Sequence, residues 1–159
     1  MTQVDRRAVL VGIPGLVAGG LAATVGAAEA RGIEEAVLAV NAEMTKAGEA
    51  LDADRLFGYM LDTDKVSVIQ NGVVMTTRQE ALERVRGNLR GLAAVRYDWT
   101  RQCVTVLSPE VAVLAAEGQS TATTAAGQTF TTPFAQTLVF VLKDGAWKAI
   151  HAHQSAPRR

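Results

Sequence analysis

The sequence has few residues of the types that most often build catalytic or metal sites. It contains one cysteine and two histidines among 159 residues. The single cysteine, Cys103, excludes an intramolecular disulfide and a cysteine-rich zinc cage. We expect Cys103 to be a small buried residue of a strand, because an isolated cysteine most often packs as an apolar side chain.

An excess of charge of one sign is also missing. Sixteen Lys and Arg residues are balanced by sixteen Asp and Glu residues, and no basic run resembles a phosphate-binding stripe. Nucleic acid is therefore not an expected partner. The sequence contains neither Gly-x-Ser-x-Gly nor a glycine-rich phosphate loop, so no serine hydrolase is indicated and no cofactor is expected.

The first thirty residues have the composition of an export signal. Arg6 and Arg7 precede 21 uncharged residues, Ala8 to Ala28, and Ala28-Glu29-Ala30 is a small-x-small cleavage signal. The arginine pair resembles the twin-arginine type. A retained membrane anchor is the alternative, but glycines and a proline make the run only weakly apolar. We expect cleavage near residue 30, a periplasmic or secreted protein without stable membrane insertion, and one domain over residues 31–159.

The chain after the leader begins with helices and a hairpin. Apolar residues at i, i+3 and i+4 predict an amphipathic helix from Ile33 to Leu51, and Asp52 is the N-cap of a short second helix. Asn71-Gly72 predicts a tight hairpin between two short strands. Thr77 and Glu80 form a capping box that opens a third helix ending near residue 92.

The remainder of the chain predicts four long strands. They cover residues 95–107, 111–123, 128–142 and 147–154 and are joined by short turns. Strands joined in this way pair antiparallel, and the helices can cover one face of the resulting sheet. The sequence therefore predicts an α+β layer architecture.

Three segments resemble the SnoaL-like branch of the nuclear-transport-factor-2-like superfamily: Asp54–Asp62, Val66–Gly72 and Gly145–Ser155. The resemblance extends over residues 33–155. It implies a cone, in which a strongly curved antiparallel sheet wraps around about three helices and a pocket lies in the mouth. The superfamily contains isomerases, cyclases, dehydratases and association domains, so the fold alone does not select a function. Related cones commonly pair through their sheets, and we expect a homodimer.

Both histidines lie on the final predicted strand. Alternation places Trp147, Ala149, His151 and His153 on one face unless a bulge intervenes. An apolar core has little use for two imidazoles, because each costs roughly 1–3 kcal/mol if its polar atoms are unpaired. We therefore predict a pocket lined by Tyr59, Gln70, Trp99, Gln136, His151 and His153.

Several chemistries remain open for this pocket. Two histidines are too few to hold a metal, and no spacing predicts a third ligand, so no metal site is expected. The resemblance implies an aspartate base where Gln70 stands, and glutamine cannot accept a proton. Tyr59 could imitate an oxyanion donor, although a packed helix tyrosine with a wet hydroxyl is the simpler interpretation.

Two classes of function follow from these residues. The first is a binding module that holds a small, partly apolar molecule in the cone. The second is an enzyme of the isomerase, cyclase or lyase type, with His151 or His153 as the proton-transfer group. A pure association domain would instead have the cone filled by side chains.

Overall fold

The computed structural model describes residues 25–157. Its helices are α1 (Ala27–Glu49), α2 (Ala53–Phe57) and α3 (Arg78–Leu89). Its strands are β1 (Ser67–Gln70), β2 (Val73–Met75), β3 (Leu92–Ser108), β4 (Val111–Thr124), β5 (Thr129–Lys143) and β6 (Ala146–Ser155). The predicted α+β class and the order of the elements are confirmed.

The strands form a curved sheet of six strands in the order β2-β1-β6-β5-β4-β3. The four long strands make the predicted antiparallel meander. The first hairpin joins the same sheet, because β1 pairs in parallel with β6. The helices lie against one face, here called the inner face, and the opposite face is called the outer face.

Local signals in the sequence explain where the elements begin and turn. Asn71 and Gly72 have φ values of 54° and 77°, as a two-residue type I′ hairpin requires. The Thr77 Oγ1 accepts a hydrogen bond from the Glu80 backbone N–H at 3.2 Å, which satisfies an otherwise unpaired donor of the first turn of α3. The Asp52 carboxylate accepts one from the Arg55 N–H at 2.9 Å.

The apolar core lies at the end of the inner face next to the β3–β4 and β5–β6 turns, here called the narrow end, and the opposite end is called the wide end. Leu114 and Phe140 of the inner face have no exposed surface, and neither has Val37 of α1. Trp147 and Ala149 of β6 are also buried. This end of the inner face is therefore filled by side chains, so any cavity has to lie further along the strands.

A bulge in β6 reverses the expected alternation of its side chains. Phe140 pairs with Ala149 but Val139 pairs with His151, so Ile150 is an extra residue. Beyond such a bulge, the residues that had pointed outward point inward. The prediction that Trp147, Ala149, His151 and His153 share one face is therefore wrong, because only the first two face inward.

A second bulge has the same effect in β3. Trp99 pairs with Gly118 and Arg101 with Glu117, which leaves Thr100 unpaired. Trp99 consequently faces inward, whereas Arg101 and Cys103 face outward. Cys103 is exposed, so the expectation that it is buried is wrong.

The predicted leader lies mostly outside the described residues, which begin at residue 25. Helix α1 starts at Ala27, so Ala28-Glu29-Ala30 lies in its first turn, and Val25 packs against the core. Over residues 25–157, no helix has the length and apolar character needed to cross a bilayer. Export and cleavage near residue 30 stay predictions.

Candidate functional site

A cavity of about 100 Å³ lies between helices α1 and α2 and the wide end of the inner face. Its helix side is apolar, since Met44 of α1, Leu56 and Phe57 of α2, and the following Met60 line it. Val68 of β1 completes part of the opposite wall. Most of the surface that a ligand would contact is therefore hydrocarbon.

Three aromatic rings form another wall. Trp99 lies 5.0 Å from Phe134 between ring centroids, and Tyr97 lies 5.8 Å from Phe134. The Trp99 indole N–H donates to the Thr45 Oγ1 at 3.1 Å, which fixes the indole against α1. Contacts of this kind between aromatic rings add stability beyond the area that they bury.

A row of glutamines crosses the sheet side of the cavity. The Gln70 Nε2 donates to the Gln154 Oε1 at 2.8 Å, and the Gln154 Nε2 donates to the Gln136 Oε1 at 3.3 Å. These residues come from three neighbouring strands, β1, β6 and β5, and all three line the cavity. The row is thus a polar stripe within an otherwise apolar site.

Further amides extend this row at both ends. The Gln136 Nε2 donates to the Asn41 Oδ1 at 3.2 Å, and the Asn41 Nδ2 donates to the Gln102 Oε1 at 2.8 Å. At the other end the Asn88 Nδ2 donates to the Gln70 Oε1 at 3.0 Å. Each amide has two N–H donors and an oxygen that can accept twice, so every glutamine of the stripe keeps spare capacity for a ligand.

The cavity is uncharged. Among the described residues, its lining includes no aspartate, glutamate, lysine, arginine, histidine or cysteine. Burial raises the pKa of Tyr97, and the negative charge of Glu49 adds to this effect, so the hydroxyl stays neutral. The lining therefore offers no side chain that exchanges a proton near neutral pH.

Three of the six predicted pocket residues line the cavity: Gln70, Trp99 and Gln136. The two histidines are not among its lining residues, since the β6 bulge turns both to the outer face. There the His151 Nδ1 lies 2.8 Å from the Ser67 Oγ, a hydrogen bond between neighbouring strands. The predicted position of His151 and His153 is therefore corrected.

Tyr59 also lies away from the cavity. It follows α2, and the Lys148 Nζ lies 5.9 Å from the centroid of its ring. Its hydrogen bond to Arg55 raises the pKa of that guanidinium. Within residues 25–157, no group of three or more histidine, cysteine, aspartate or glutamate side chains is placed to hold a metal ion.

The pocket predicted from the sequence left out two of the amides, Gln154 and Asn41, for different reasons. Gln154 has the parity opposite to the histidines, and only the bulge brings it inward. Asn41 carried a usable signal, because it stands between Val37 and Met44 on the buried stripe of α1 and is only 2% exposed. A polar residue in an apolar stripe indicates a buried partner, since an unpaired amide there is costly.

Comparison with known proteins agrees with this fold. A family model of the SnoaL-like domain matches residues 37–159. A proposed dehydratase of the nuclear-transport-factor-2-like family from Streptomyces avermitilis is 20% identical, with a TM-score of 0.73 over 81% of this chain and 99% of that one. A nuclear-transport-factor-2-like protein from Salmonella enterica serovar Typhimurium is 14% identical, with a TM-score of 0.75 over 81% and 94%.

A third solved structure is a proposed scytalone dehydratase from Novosphingobium aromaticivorans, which is 11% identical with a TM-score of 0.73 over 80% of this chain and 86% of that one. No curated protein sequence matches the chain significantly. At these identities the solved structures establish the shared fold alone.

Proposed function

The chain belongs to the SnoaL-like domain family, and on that premise we propose that it binds a small, uncharged, largely apolar molecule in the cavity without catalysing a reaction on it. The observation that carries the proposal is the neutral lining. An uncharged ligand would exchange water for apolar walls and spare amide hydrogen bonds, whereas a charged one would lose its hydration without gaining a counter-ion.

The same lining argues against proton-transfer catalysis. An enzyme of the isomerase, cyclase or lyase type would need an acid or base within hydrogen-bond reach of its substrate. The histidines that were candidates for this role stand on the outer face, and Gln70 occupies the place where the family resemblance implies an aspartate base. The dehydratase role proposed for two of the relatives is therefore not carried over to this chain.

A matched pair of probes tests the proposal. Benzamide and benzoate have nearly the same size and shape, but only benzoate is charged at pH 7. Binding is measured by calorimetry, and also by the fluorescence of Trp99 in a Trp147→Phe background, where Trp99 is the single tryptophan. We expect benzamide to bind at least about tenfold more tightly than benzoate, a difference of about 1.4 kcal/mol.

The cavity is small for a ligand of the size of benzamide. An engineered cavity of about 150 Å³ holds benzene, so benzamide can enter only if the aromatic wall yields. Equal binding of the two probes, tighter binding of benzoate, or no binding of either would contradict the proposal. Mass spectrometry of molecules that copurify with the native protein would then give the ligand class directly.

We also propose that the protein forms a homodimer through the outer face of the sheet. Val113 and Val139 are paired across β4 and β5, as are Val111 and Val141, and all four point away from the helices. Apolar surface of this kind favours association. We expect a dimer in sedimentation equilibrium at micromolar concentration and a monomer for Val139→Glu; a monomeric wild-type protein would contradict the proposal.

The final part of the proposal is location. We propose that the leader directs export to the periplasm or beyond and is cleaved near residue 30. Cleavage there would remove the first turn of α1 but would leave Ile33 and Val37, the first core residues of that helix. N-terminal sequencing of exported material should begin near Arg31, whereas a membrane-bound protein that begins at Met1 would favour the anchor.

A further inference from the structure

A second chamber adjoins the cavity on the side of the cone mouth. Its volume is about 170 Å³. Gln70, Tyr97, Phe134 and Gln154 line both spaces. These four side chains therefore form the partition between an inner cavity and an outer chamber.

The outer chamber differs from the cavity in its chemistry. Away from the partition it is lined mainly by short polar side chains: Asn71, Ser120, Thr132 and Ser155. They carry hydroxyl and amide groups without charge. Of the described residues that line it, none is a carboxylate, an amine, a guanidinium or an imidazole, so the chamber is polar and neutral where the inner cavity is apolar and neutral.

The partition has one polar side and one aromatic side. The polar side is the 2.8 Å hydrogen bond from the Gln70 Nε2 to the Gln154 Oε1. The aromatic side is Phe134, whose ring touches Tyr97 edge-on and Trp99 at a tilt. Trp99 is fixed by its bond to Thr45, whereas the Phe134 ring has no polar atom and is held by packing alone. Because the Phe134 ring makes no hydrogen bond, its rotation would widen the passage between the chambers without breaking one.

We propose that the two chambers form one site for an elongated, uncharged amphiphile: a compact apolar ring occupies the inner cavity, and a hydroxyl-bearing extension occupies the outer chamber. This inference rests on the proposed binding function and adds the shape and chemistry of the ligand. Alone, the cavity of about 100 Å³ is smaller than the ~300 Å³ at which ordinary ligand pockets begin. The chamber of about 170 Å³ supplies most of the missing space.

The test compares benzyl alcohol, benzyl β-glucoside and methyl β-glucoside by calorimetry with the full chain. The benzyl group probes the inner cavity and the glucosyl group probes the outer chamber. We expect benzyl glucoside to bind at least about tenfold more tightly than either of the other two. That result requires both halves of the ligand to be engaged at once.

Two variants locate the extension. Asn71→Gly removes the side chain from a residue with a φ of 54°, where glycine is unstrained, and Ser120→Ala removes one hydroxyl. Each should reduce the advantage of benzyl glucoside over benzyl alcohol several-fold and leave the affinity for benzyl alcohol unchanged. Unfolding midpoints of both variants serve as the control for folding.

Any other result contradicts one specific part of the proposal. If benzyl alcohol or methyl glucoside binds as tightly as benzyl glucoside, the chambers do not act as one site. If the glucoside is favoured but neither variant changes this, the extension lies elsewhere and the inference is wrong. If benzamide and all the benzyl probes fail to bind, the proposed binding function itself fails, which distinguishes the two results.

Discussion

The two faces of the sheet carry opposite chemistry although they are built from the same strands. The inner face at the wide end presents neutral amides and aromatic rings around a cavity. The outer face presents His151, His153 and Cys103, the residue types that most often perform catalysis. In this protein the reactive residue types and the enclosed space therefore lie on different sides of the sheet.

The face to which these side chains point depends on two extra residues, one in β6 and one in β3. Without Ile150 in β6, strict alternation would place Trp147, Ala149 and both histidines on the same face. Without Thr100 in β3, Cys103 would face the same way as Trp99. The two bulges thus keep the histidines and Cys103 out of the cavity, which leaves its lining neutral. Substitutions at the bulges should therefore have the largest effects on stability.

The largest loss of stability is expected from a substitution at Gly118, which pairs with Trp99 at the β3 bulge. A Cβ atom there would lie 2.4 Å from the backbone oxygen of Asp98, which real contacts do not allow. We expect Gly118→Ala to destabilise the protein by roughly 3 kcal/mol, because the backbone of β3 has to move. Urea unfolding measures this change.

Gly91→Ala is the control for this substitution. A Cβ atom at Gly91 would meet nothing within 4 Å, so its effect should stay within about 0.5 kcal/mol. Equal stability of the Gly118 and Gly91 variants would show that close approach at the bulge does not hold this part of the sheet.

Gln136 and Thr137 test the difference between the two faces, since they are neighbours in β5 that point to opposite sides of the sheet. Gln136→Leu leaves the Asn41 Oδ1 without a donor and the Gln154 Nε2 without an acceptor. We expect a loss of about 2 kcal/mol. Thr137→Val on the outer face should change stability by less than about 0.5 kcal/mol, and the reverse ranking in chemical unfolding would contradict the assignment of the faces.

The smallest effect is expected from Tyr97, the titratable side chain among the described residues that line the cavity. Because burial raises the pKa of Tyr97, the folded protein holds this proton more tightly than the unfolded chain. The resulting stability is fully present below the unfolded pKa of about 10 and is lost as the pH rises through the folded value. Wild type should therefore lose more stability than Tyr97→Phe as the pH rises from about 9 to about 11, a range centred on the unfolded pKa. Identical alkaline profiles in urea unfolding would rule this out.

Much of the fold could be predicted because its signals are local. Asn71-Gly72 requires a hairpin, and Thr77 with Glu80 fixes the start of a helix, whatever the rest of the chain does. The side of the sheet to which each strand residue points could not be predicted in the same way. A bulge has no strong sequence signature, yet a single one turns every later side chain of the strand to the other face.

The site was predictable to the same limited extent. Gln70, Trp99 and Gln136 were placed correctly because each lies on a strand segment with regular pairing, and for Trp99 this segment runs from Ala94 to Trp99 itself. His151 and His153 were placed wrongly because they follow Ile150. Gln154, which lines the cavity, and Asn41, which bonds the Gln136 amide, join this site only when distant strands and α1 are brought together.

The most direct test of the account uses three consecutive residues of β6. Ala152 lines the cavity, and it lies between His151 and His153, which face outward. Ala152→Leu adds three carbons to a space of about 100 Å³, so it should abolish benzamide binding. The double variant His151→Phe, His153→Phe should bind benzamide within about twofold of wild type, a difference under ~0.5 kcal/mol. Loss of binding in the histidine variant with normal binding in Ala152→Leu would contradict the central claim that the neutral inner face is the binding site.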